Sequence, residues 1–180
     1  MPDGDKDRNG HVESAVRLKT SFPPSIRTGA KVLILGSMPG EESLRRQEYY
    51  AFPRNAFWQI MGDLFGFSRD LPYAERLANL NRNRIALWDT LAFCNREGSL
   101  DQKITDPVPN DIVGLVRQYP TITHIFCNGT ASFQFLKRWN GAVFKLPVTI
   151  RRLPSTSPAA ALYSYAQKQE AYSVVKTIVG

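Results

Sequence analysis

The stretch KVLILGSMPGEES, residues 31–43, decides the fold. Residues 31–35 form an almost unbroken apolar run, which is typical of a strand buried on both faces. A turn bounded by glycine and able to admit a ligand close to the backbone follows, formed by Gly36, Ser37, Met38, Pro39 and Gly40. Glu41 and Glu42 then favour the start of a helix. A buried strand that runs through a turn into a helix predicts the first unit of an α/β sheet.

Three more apolar runs have the length of strands, at residues 84–88, 122–127 and 148–153. Helix-length segments separate or follow the strands, at residues 55–65, 72–80, 110–119, 130–139 and 158–179. Because parallel strands need crossovers that helices usually supply, this alternation predicts an α/β fold with a central, mostly parallel four-stranded sheet covered on both faces. Ligands of such sheets bind beyond the carboxyl ends of the strands, so we expect the functional residues in the segments that follow the strands.

The length of 180 residues corresponds to one domain. We predict a flexible tail over residues 1–20, which hold no continuous apolar run, and a single domain over residues 21–180. No segment approaches the roughly 18 apolar residues that cross a bilayer, so we expect a soluble, cytoplasmic protein without a membrane partner. Cys94 and Cys127 lack the spacing of a zinc or iron–sulfur site and are expected to be buried.

The net charge of +7 is unevenly distributed along the chain. Residues 1–102 carry 14 Lys and Arg against 13 Asp and Glu, whereas residues 103–180 carry 9 against 3. A positive excess in one half of a chain favours a polyanionic partner such as nucleic acid.

Two of the strand-end segments have the composition of binding loops. The GSMPG turn contains neither the GK[ST] of a Walker A loop nor GxGxxG, so nucleotide sites of those kinds lose support and an ordinary turn is the simplest interpretation. The segment RRLPSTSPAAA, residues 151–161, looks like a phosphate clamp that ends in a helix start. Its candidate phosphate-binding residues are Arg151, Arg152, Ser155, Thr156 and Ser157. A serine-capped helix would have a similar sequence.

Aromatic residues crowd the segment EYYAFPRNAFW, residues 48–58. Phe57 and Trp58 begin a helix with an apolar face, so we expect them to pack in the core. Tyr50 precedes that helix. Its ring could pack in the core or stack on a base, and the sequence favours neither role. For Asn55 the default role is to cap the helix through its side-chain oxygen. The alternative is that its amide, which both donates and accepts hydrogen bonds but does not titrate near neutral pH, holds a water molecule.

Five segments together resemble the uracil-DNA glycosylase superfamily, and most closely its hypoxanthine-DNA glycosylase branch. They are GSMPGEESL at 36–44, YYAFPRNAFW at 49–58, LWDTLAFCNREGSLDQKI at 87–104, CNGTASF at 127–133 and LPSTSPAAA at 153–161. The resemblance spans residues 31 to about 175. It implies a three-layer α/β/α sandwich that extrudes a deaminated base from double-stranded DNA and hydrolyses its N-glycosidic bond. We expect a monomer that uses no metal and no cofactor.

The resemblance also implies roles for individual residues. The GSMPG turn contacts the extruded base, Tyr50 stacks on it, and the LPSTSP loop presses into the minor groove of DNA. Many members of the superfamily carry Asp or Asn in the first motif and His or Asn at the start of the second, whereas this chain has Met38 and Leu153. In the hypoxanthine branch an Asn in the segment that matches FPRNAFW is the catalytic group, and this role transfers to Asn55.

Each of three polar residues has two possible roles, one in the site and one in the structure. By resemblance, Asp89 lies where some relatives place an Asn that reads uracil, and its carboxylate would accept the N1–H of hypoxanthine. An ionised carboxylate beside a base that leaves with negative charge raises the barrier, unless the two are well separated or Asp89 is protonated. Asp89 could instead bind backbone N–H groups at a strand end. Ser99 and Asn128 are either site-lining groups or turn residues in GSLD and NGT.

Other functions fit the same sequence. The protein could excise uracil or another deaminated base, or it could be a nucleic-acid-binding module that cleaves nothing. A third possibility is a small-molecule nucleoside hydrolase or nucleotide-binding α/β protein, which would act on free inosine with little dependence on salt.

Overall fold

The computed structural model describes residues 18–180, and strands and helices alternate along most of this range. The strands are β1 (Leu18–Thr20), β2 (Val32–Gly36), β3 (Ile85–Asp89), β4 (Leu91–Asn95), β5 (Thr105–Pro109), β6 (His124–Asn128) and β7 (Thr149–Leu153). The α-helices are α1 (Glu41–Arg46), α2 (Phe57–Phe65), α3 (Tyr73–Arg82), α4 (Ile112–Gln118), α5 (Thr130–Trp139) and α6 (Tyr165–Val179). Short 3-10 helices cover Asp101–Lys103 and Gly141–Lys145.

The central sheet contains the four predicted strands in the order β3-β2-β6-β7, all parallel. Gly36 at the end of β2 pairs with Asp89 at the end of β3, and Asn128 at the end of β6 pairs with Leu153 at the end of β7. This register brings the carboxyl ends of all four strands to one edge of the sheet. The predicted parallel sheet is confirmed.

Helices cover both faces of this sheet, which confirms the predicted three-layer α/β/α sandwich. Side chains of a strand alternate between the faces. On β2, Ile34 packs in the apolar cluster that contains residues of α2, α3 and α6, whereas Leu35 packs in the cluster that contains residues of α4 and α5. All five residues of β2 are buried, because it lies in the interior of the sheet under helices on both sides.

A second, antiparallel sheet with the order β1-β4-β5 was not predicted. Its strands are short, and β5 contains Pro107 and Pro109, which weigh against a strand in the sequence. β1 lies within the predicted tail but pairs with β4, so the folded part begins before the predicted boundary at residue 21. Residues 1–17 of the predicted tail lie outside the described residues.

The last helix begins at Tyr165 rather than at residue 158 as predicted. Ser164 is its N-cap, and Gln167 completes a capping box with it, so the start signal lies well beyond the LPSTSP segment. The predicted burial of Cys94 and Cys127 is confirmed, and both are free thiols. Within residues 18–180, no helix combines the length and the apolar character needed to cross a membrane.

Candidate active site

The loops at the carboxyl edge of the central sheet enclose a cavity of about 390 Å³, here called the first cavity. All four strand-end segments contribute to it, together with the aromatic segment before α2. Its lining comprises residues 36–43, 99–101 and 155–159 with Tyr49, Tyr50, Phe52, Asn55, Asp89 and Asn128. The structure therefore brings together candidate residues that lie more than a hundred positions apart in the chain. A volume in this range is typical of a small-ligand site.

Gly36 allows two polar side chains to approach the floor of the first cavity. A Cβ atom at residue 36 would overlap Oδ1 of Asp89 and would lie 3.4 Å from the Tyr50 hydroxyl. The close approach of the Asp89 carboxyl group therefore requires glycine at this position, and the absent side chain leaves the end of β2 open toward the cavity.

Asp89 is a buried carboxyl group, with 3% of its surface exposed. Its Oδ2 atom has no hydrogen-bond partner among residues 18–180. The neighbouring N–H groups of Thr90 and Leu91 donate instead to the carbonyl oxygens of Gly36 and Ser37, at 2.9 and 3.1 Å. The alternative in which Asp89 binds backbone N–H groups is therefore not observed.

The environment of Asp89 favours the neutral acid. The pKa of Asp89 is raised to about 7, mainly by burial and next by the charge of Asp101, whereas the charge of Arg96 lowers it. A carboxyl group with a pKa near 7 is protonated in about half of the molecules at neutral pH. Asp89 can therefore offer both an O–H donor and a carbonyl acceptor to a ligand.

Tyr50 packs against the core and also lines the first cavity. Its ring stacks on Phe57 with 4.0 Å between the ring centroids, and the residue adopts a φ of 55° in the left-handed region. Its hydroxyl group is buried without a hydrogen-bond partner in the described chain. Burial, and next the charge of Asp89, raise the pKa of Tyr50, so the phenol stays neutral. The two roles left open by the sequence are thus compatible.

Asn55 precedes Ala56, the N-cap residue of α2, and also lines the first cavity. Its Oδ1 atom accepts a hydrogen bond from the backbone N–H of Phe57, the first residue of the helix, at 3.0 Å. The predicted hydrogen bond to a helix-start N–H is therefore observed, although Asn55 lies two residues before the helix and not at the N-cap position. The next residue, Ala56, donates its backbone N–H to the carbonyl oxygen of Thr156 at 3.0 Å. This bond ties the Asn55 segment to the loop that follows β7.

A reciprocal pair of hydrogen bonds holds the loop after β7 against β6. Asn128 Nδ2 donates to the Thr156 hydroxyl oxygen, and the Thr156 backbone N–H donates to Asn128 Oδ1, both at 2.9 Å. Thr156 is only 1% exposed and its hydroxyl oxygen accepts a hydrogen bond from Asn128, which does not support the predicted contact with phosphate; that contact stays a prediction. Ser155 and Ser157 keep their place at the cavity, and buried Lys168 supports this loop by donating to the Ser157 carbonyl oxygen.

The sequence predicts that Arg151 or Arg152 adds positive charge to the phosphate-binding loop after β7. They are consecutive residues of β7, so their side chains point to opposite faces of the sheet, and neither lines the first cavity. Arg152 Nη1 lies 3.3 Å from the hydroxyl oxygen of Thr130 at the start of α5. The predicted helix start that would have added N–H donors is also absent there.

Polar residues hold the GSMPG turn in place, and sequence analysis missed two of them, Arg96 and Asp101. Arg96 is 4% exposed, and its guanidinium group donates to the carbonyl oxygens of Pro39 and Gly98. Asp101 accepts a hydrogen bond from the Ser37 hydroxyl at 2.7 Å. The Ser99 hydroxyl oxygen accepts a hydrogen bond from the backbone N–H of Glu41 at 2.9 Å. The segment NREGSLD, residues 95–101, could have indicated this role, because Arg96 and Asp101 carry opposite charges on either side of Gly98.

Met38 packs with Leu91 and Cys94 beside the first cavity and offers no group that could activate water, as expected from the sequence. Within residues 18–180, no three His, Cys, Asp or Glu side chains group as metal ligands. The expectation that no metal takes part remains a prediction.

The model of the uracil DNA glycosylase superfamily matches residues 23–176. The chain is 36% identical over 154 residues to a protein of Methanosarcina acetivorans named hypoxanthine DNA glycosylase, covering 85% of this chain and 95% of that relative. It is 38% identical over 118 residues to a protein of the same name from Methanosarcina barkeri, covering 65% and 75%.

A solved structure shares the architecture as well. It is the solution NMR structure of a Methanosarcina acetivorans protein described as a candidate uracil DNA glycosylase, with a TM-score of 0.74 and 32% sequence identity. The match covers 89% of this chain and 99% of that protein.

Proposed function

The chain belongs to the uracil DNA glycosylase superfamily, and from this premise we propose that it is a DNA glycosylase that releases hypoxanthine from double-stranded DNA. The observation that carries the proposal is the convergence of Asn55, Tyr50, Asp89 and both proline-bearing loops on one cavity. Two relatives that bear the name hypoxanthine DNA glycosylase support the choice of base. A cavity that holds one everted base explains why residues from every strand end are needed.

The reaction requires a placed water molecule and a stabilised leaving group. Hydrolysis at the N-glycosidic carbon passes through an oxocarbenium-like sugar, so positioning contributes much of the rate enhancement. Asn55 would orient the water through its amide, which stays neutral at every working pH. The Phe57 N–H bond to Oδ1 fixes the orientation of this amide before substrate arrives.

The base would be read by the floor of the first cavity. Hypoxanthine presents a carbonyl oxygen next to an N–H group, and a neutral carboxyl group at Asp89 matches this pair with one donor and one acceptor. The raised pKa of Asp89 supports this form and avoids the charge repulsion that an ionised carboxylate would impose on the departing base. Tyr50 would stack on the purine ring, and such a contact contributes about 1 to 3 kcal/mol.

The DNA backbone would be held at the mouth of the cavity. Ser155 and Ser157 line it and carry hydroxyl groups suited to phosphate oxygens. Extrusion of a nucleotide costs a few kcal/mol, and less for a mispaired base such as inosine opposite thymine. Phosphate contacts offset part of this cost, and weaker pairing favours lesions over normal bases.

The test is strand scission at a single inosine. Purified protein is incubated with a duplex that contains one inosine, and alkali then cleaves any abasic site. We expect a break at the inosine and none in a matched duplex with adenine there. Binding without scission would support the non-catalytic module, and activity on free inosine would support a nucleoside hydrolase. Matched duplexes with uracil or xanthine rank the lesions. The monomeric state and the cytoplasmic location remain predictions.

A further inference from the structure

A second cavity, of about 430 Å³, adjoins the segment that carries Asn55. The two cavities share Tyr50, Phe52 and Asn55 as a common wall. The second cavity is also lined by residues 69–73, where α3 begins, and by Arg46 at the end of α1. A ligand in the second cavity would thus lie next to a ligand in the first.

Three guanidinium groups line the second cavity, from Arg46, Arg69 and Arg76. Glu48 lies between two of them, with its Oε2 atom 3.7 Å from Arg46 Nε and 3.6 Å from Arg76 Nη2. Both distances are longer than a hydrogen bond. Three cations therefore face two carboxylates, those of Glu48 and of the exposed Asp70.

Two of these guanidinium groups are already held in place by the protein. Arg69 Nη2 donates to the carbonyl oxygen of Pro53 at 2.9 Å, and Arg76 Nε donates to that of Leu71 at 3.0 Å. The Arg76 guanidinium carbon also lies 4.8 Å from the ring centroid of Trp58. Each bond uses one of the five N–H donors of a guanidinium group, so further donors remain for a ligand.

The positive charge at Arg76 is poorly compensated. Its side chain is 11% exposed, and burial lowers its pKa. Glu48 and Tyr73 oppose this effect, whereas the charges of Arg46 and Arg69 lower the pKa further. An anion in the second cavity would relieve the mutual repulsion of the three cations.

We propose that the second cavity binds a backbone phosphate of the DNA strand, next to the nucleotide whose base enters the first cavity. The proposal rests on the proposed function, because it takes DNA as the ligand of the first cavity. Guanidinium groups match the geometry of phosphate oxygens and are favoured wherever phosphate is recognised. One wall then separates a base site from a phosphate site, just as the sugar separates base and phosphate in a nucleotide.

The first experiment measures the salt dependence of DNA binding for wild type and Arg46→Gln. Arg46 is half exposed and has only the long contact with Glu48, so its replacement leaves the core intact. Loss of one phosphate contact should make the plot of log K against log salt less steep by about 0.9. Arg46→Gln should then bind DNA roughly tenfold more weakly than wild type at about 0.1 M salt, and this difference should vanish near 1 M salt. Arg82→Gln is the matched control, since exposed Arg82 ends α3 away from the cavity. Equal slopes for Arg46→Gln and Arg82→Gln would overturn the proposal.

The second experiment identifies the source of the phosphate. Uncharged methylphosphonates replace, one at a time, the phosphates that flank the inosine. We expect one position at which the replacement weakens wild type but has no further effect on Arg46→Gln. If inorganic phosphate binds wild type and not Arg46→Gln, yet no methylphosphonate shows this coupling, the cavity takes a free anion and the DNA assignment is wrong. Both experiments measure binding alone, so a protein that binds DNA but leaves inosine uncleaved would refute the proposed function separately.

Discussion

The two cavities differ in the chemistry that they present, although one segment of chain separates them. The floor of the first cavity holds a buried carboxyl group and a buried phenol whose free polar atoms have no partner among residues 18–180. The second is lined by three guanidinium groups and two carboxylates. A neutral polar floor suits a nucleobase, and a cationic lining suits phosphate. Under the two proposals, this difference means that the Asn55 segment would meet both parts of one nucleotide.

Hydrogen bonds from both sides hold this common wall. Trp58 Nε1 donates to the Tyr49 carbonyl oxygen at 2.7 Å, and Ala56 N–H donates to Thr156 on the side of the first cavity. Arg69 donates to Pro53 on the side of the second. Occupation of the second cavity would therefore act on the position of Asn55 through Pro53 and Arg69.

The largest effect is expected for Asn55, because it serves the chemistry rather than the binding. Asn55→Ala should lower the single-turnover rate of hypoxanthine release by about a thousandfold, in the range of a lost positioned polar group. DNA affinity, measured by fluorescence anisotropy, should stay nearly unchanged. A fall in affinity as large as the fall in rate would instead make Asn55 a binding residue.

The control separates this role from helix capping. Loss of the cap in Asn55→Ala should cost about 1 kcal/mol of unfolding free energy. Asn55→Asp keeps an oxygen acceptor for the Phe57 N–H, so its thermal stability should lie near that of wild type. Its rate should nevertheless stay low, because a carboxylate cannot donate a hydrogen bond. Recovery of full activity in Asn55→Asp would show that an oxygen acceptor at this position suffices and that the N–H donor of the amide is not needed.

A smaller effect is expected for Tyr50. Tyr50→Ala should reduce hypoxanthine release by about ten- to a hundredfold, which corresponds to the loss of base stacking. Tyr50→Phe keeps the ring and should retain most of the activity. If Tyr50→Ala cleaves as fast as wild type, the residue is a packing element and the stacking role fails.

The smallest effect at neutral pH is expected for the ionisation of Asp89. If the neutral acid is the active form, cleavage should fall by about tenfold for each pH unit above the pKa of about 7. Asp89→Asn imitates the neutral acid at every pH, so this fall should be absent from its profile. A wild-type rate that rises steadily from about pH 7 to pH 9 would contradict the neutral role.

Protein stability gives an independent check on Asp89. Its pKa is about 7 in the folded protein against an ordinary value of 3.8, so the folded state binds more protons in that interval. Stability should therefore fall as the pH rises from about 4 to about 7, and change no further above it. Thermal unfolding should show that Asp89→Asn gains stability relative to wild type over this interval. Parallel curves would mean that Asp89 is ionised in the folded protein.

The central sheet was predictable because its strands are continuous apolar runs, as in β2, with helix-length segments between them. The antiparallel sheet was not, because β5 reads TDPVP, whose prolines weigh against a strand, and β1 has only three residues. The candidate residues of the first cavity follow strand ends, where the α/β rule already directs attention. The second cavity joins Arg46, Arg69 and Arg76, which no motif connects, so only the packing of α3 against the Asn55 segment brings them together.

The most direct measurement is a crystal structure of the Asn55→Ala protein bound to a duplex that contains one inosine. We predict that the hypoxanthine ring leaves the helix, enters the first cavity against Tyr50, and lies with its carbonyl and N1–H edge toward Asp89. A neighbouring phosphate should lie among the guanidinium groups of the second cavity. An inosine that stays stacked in the duplex, or a duplex bound away from the strand-end loops, would contradict the account.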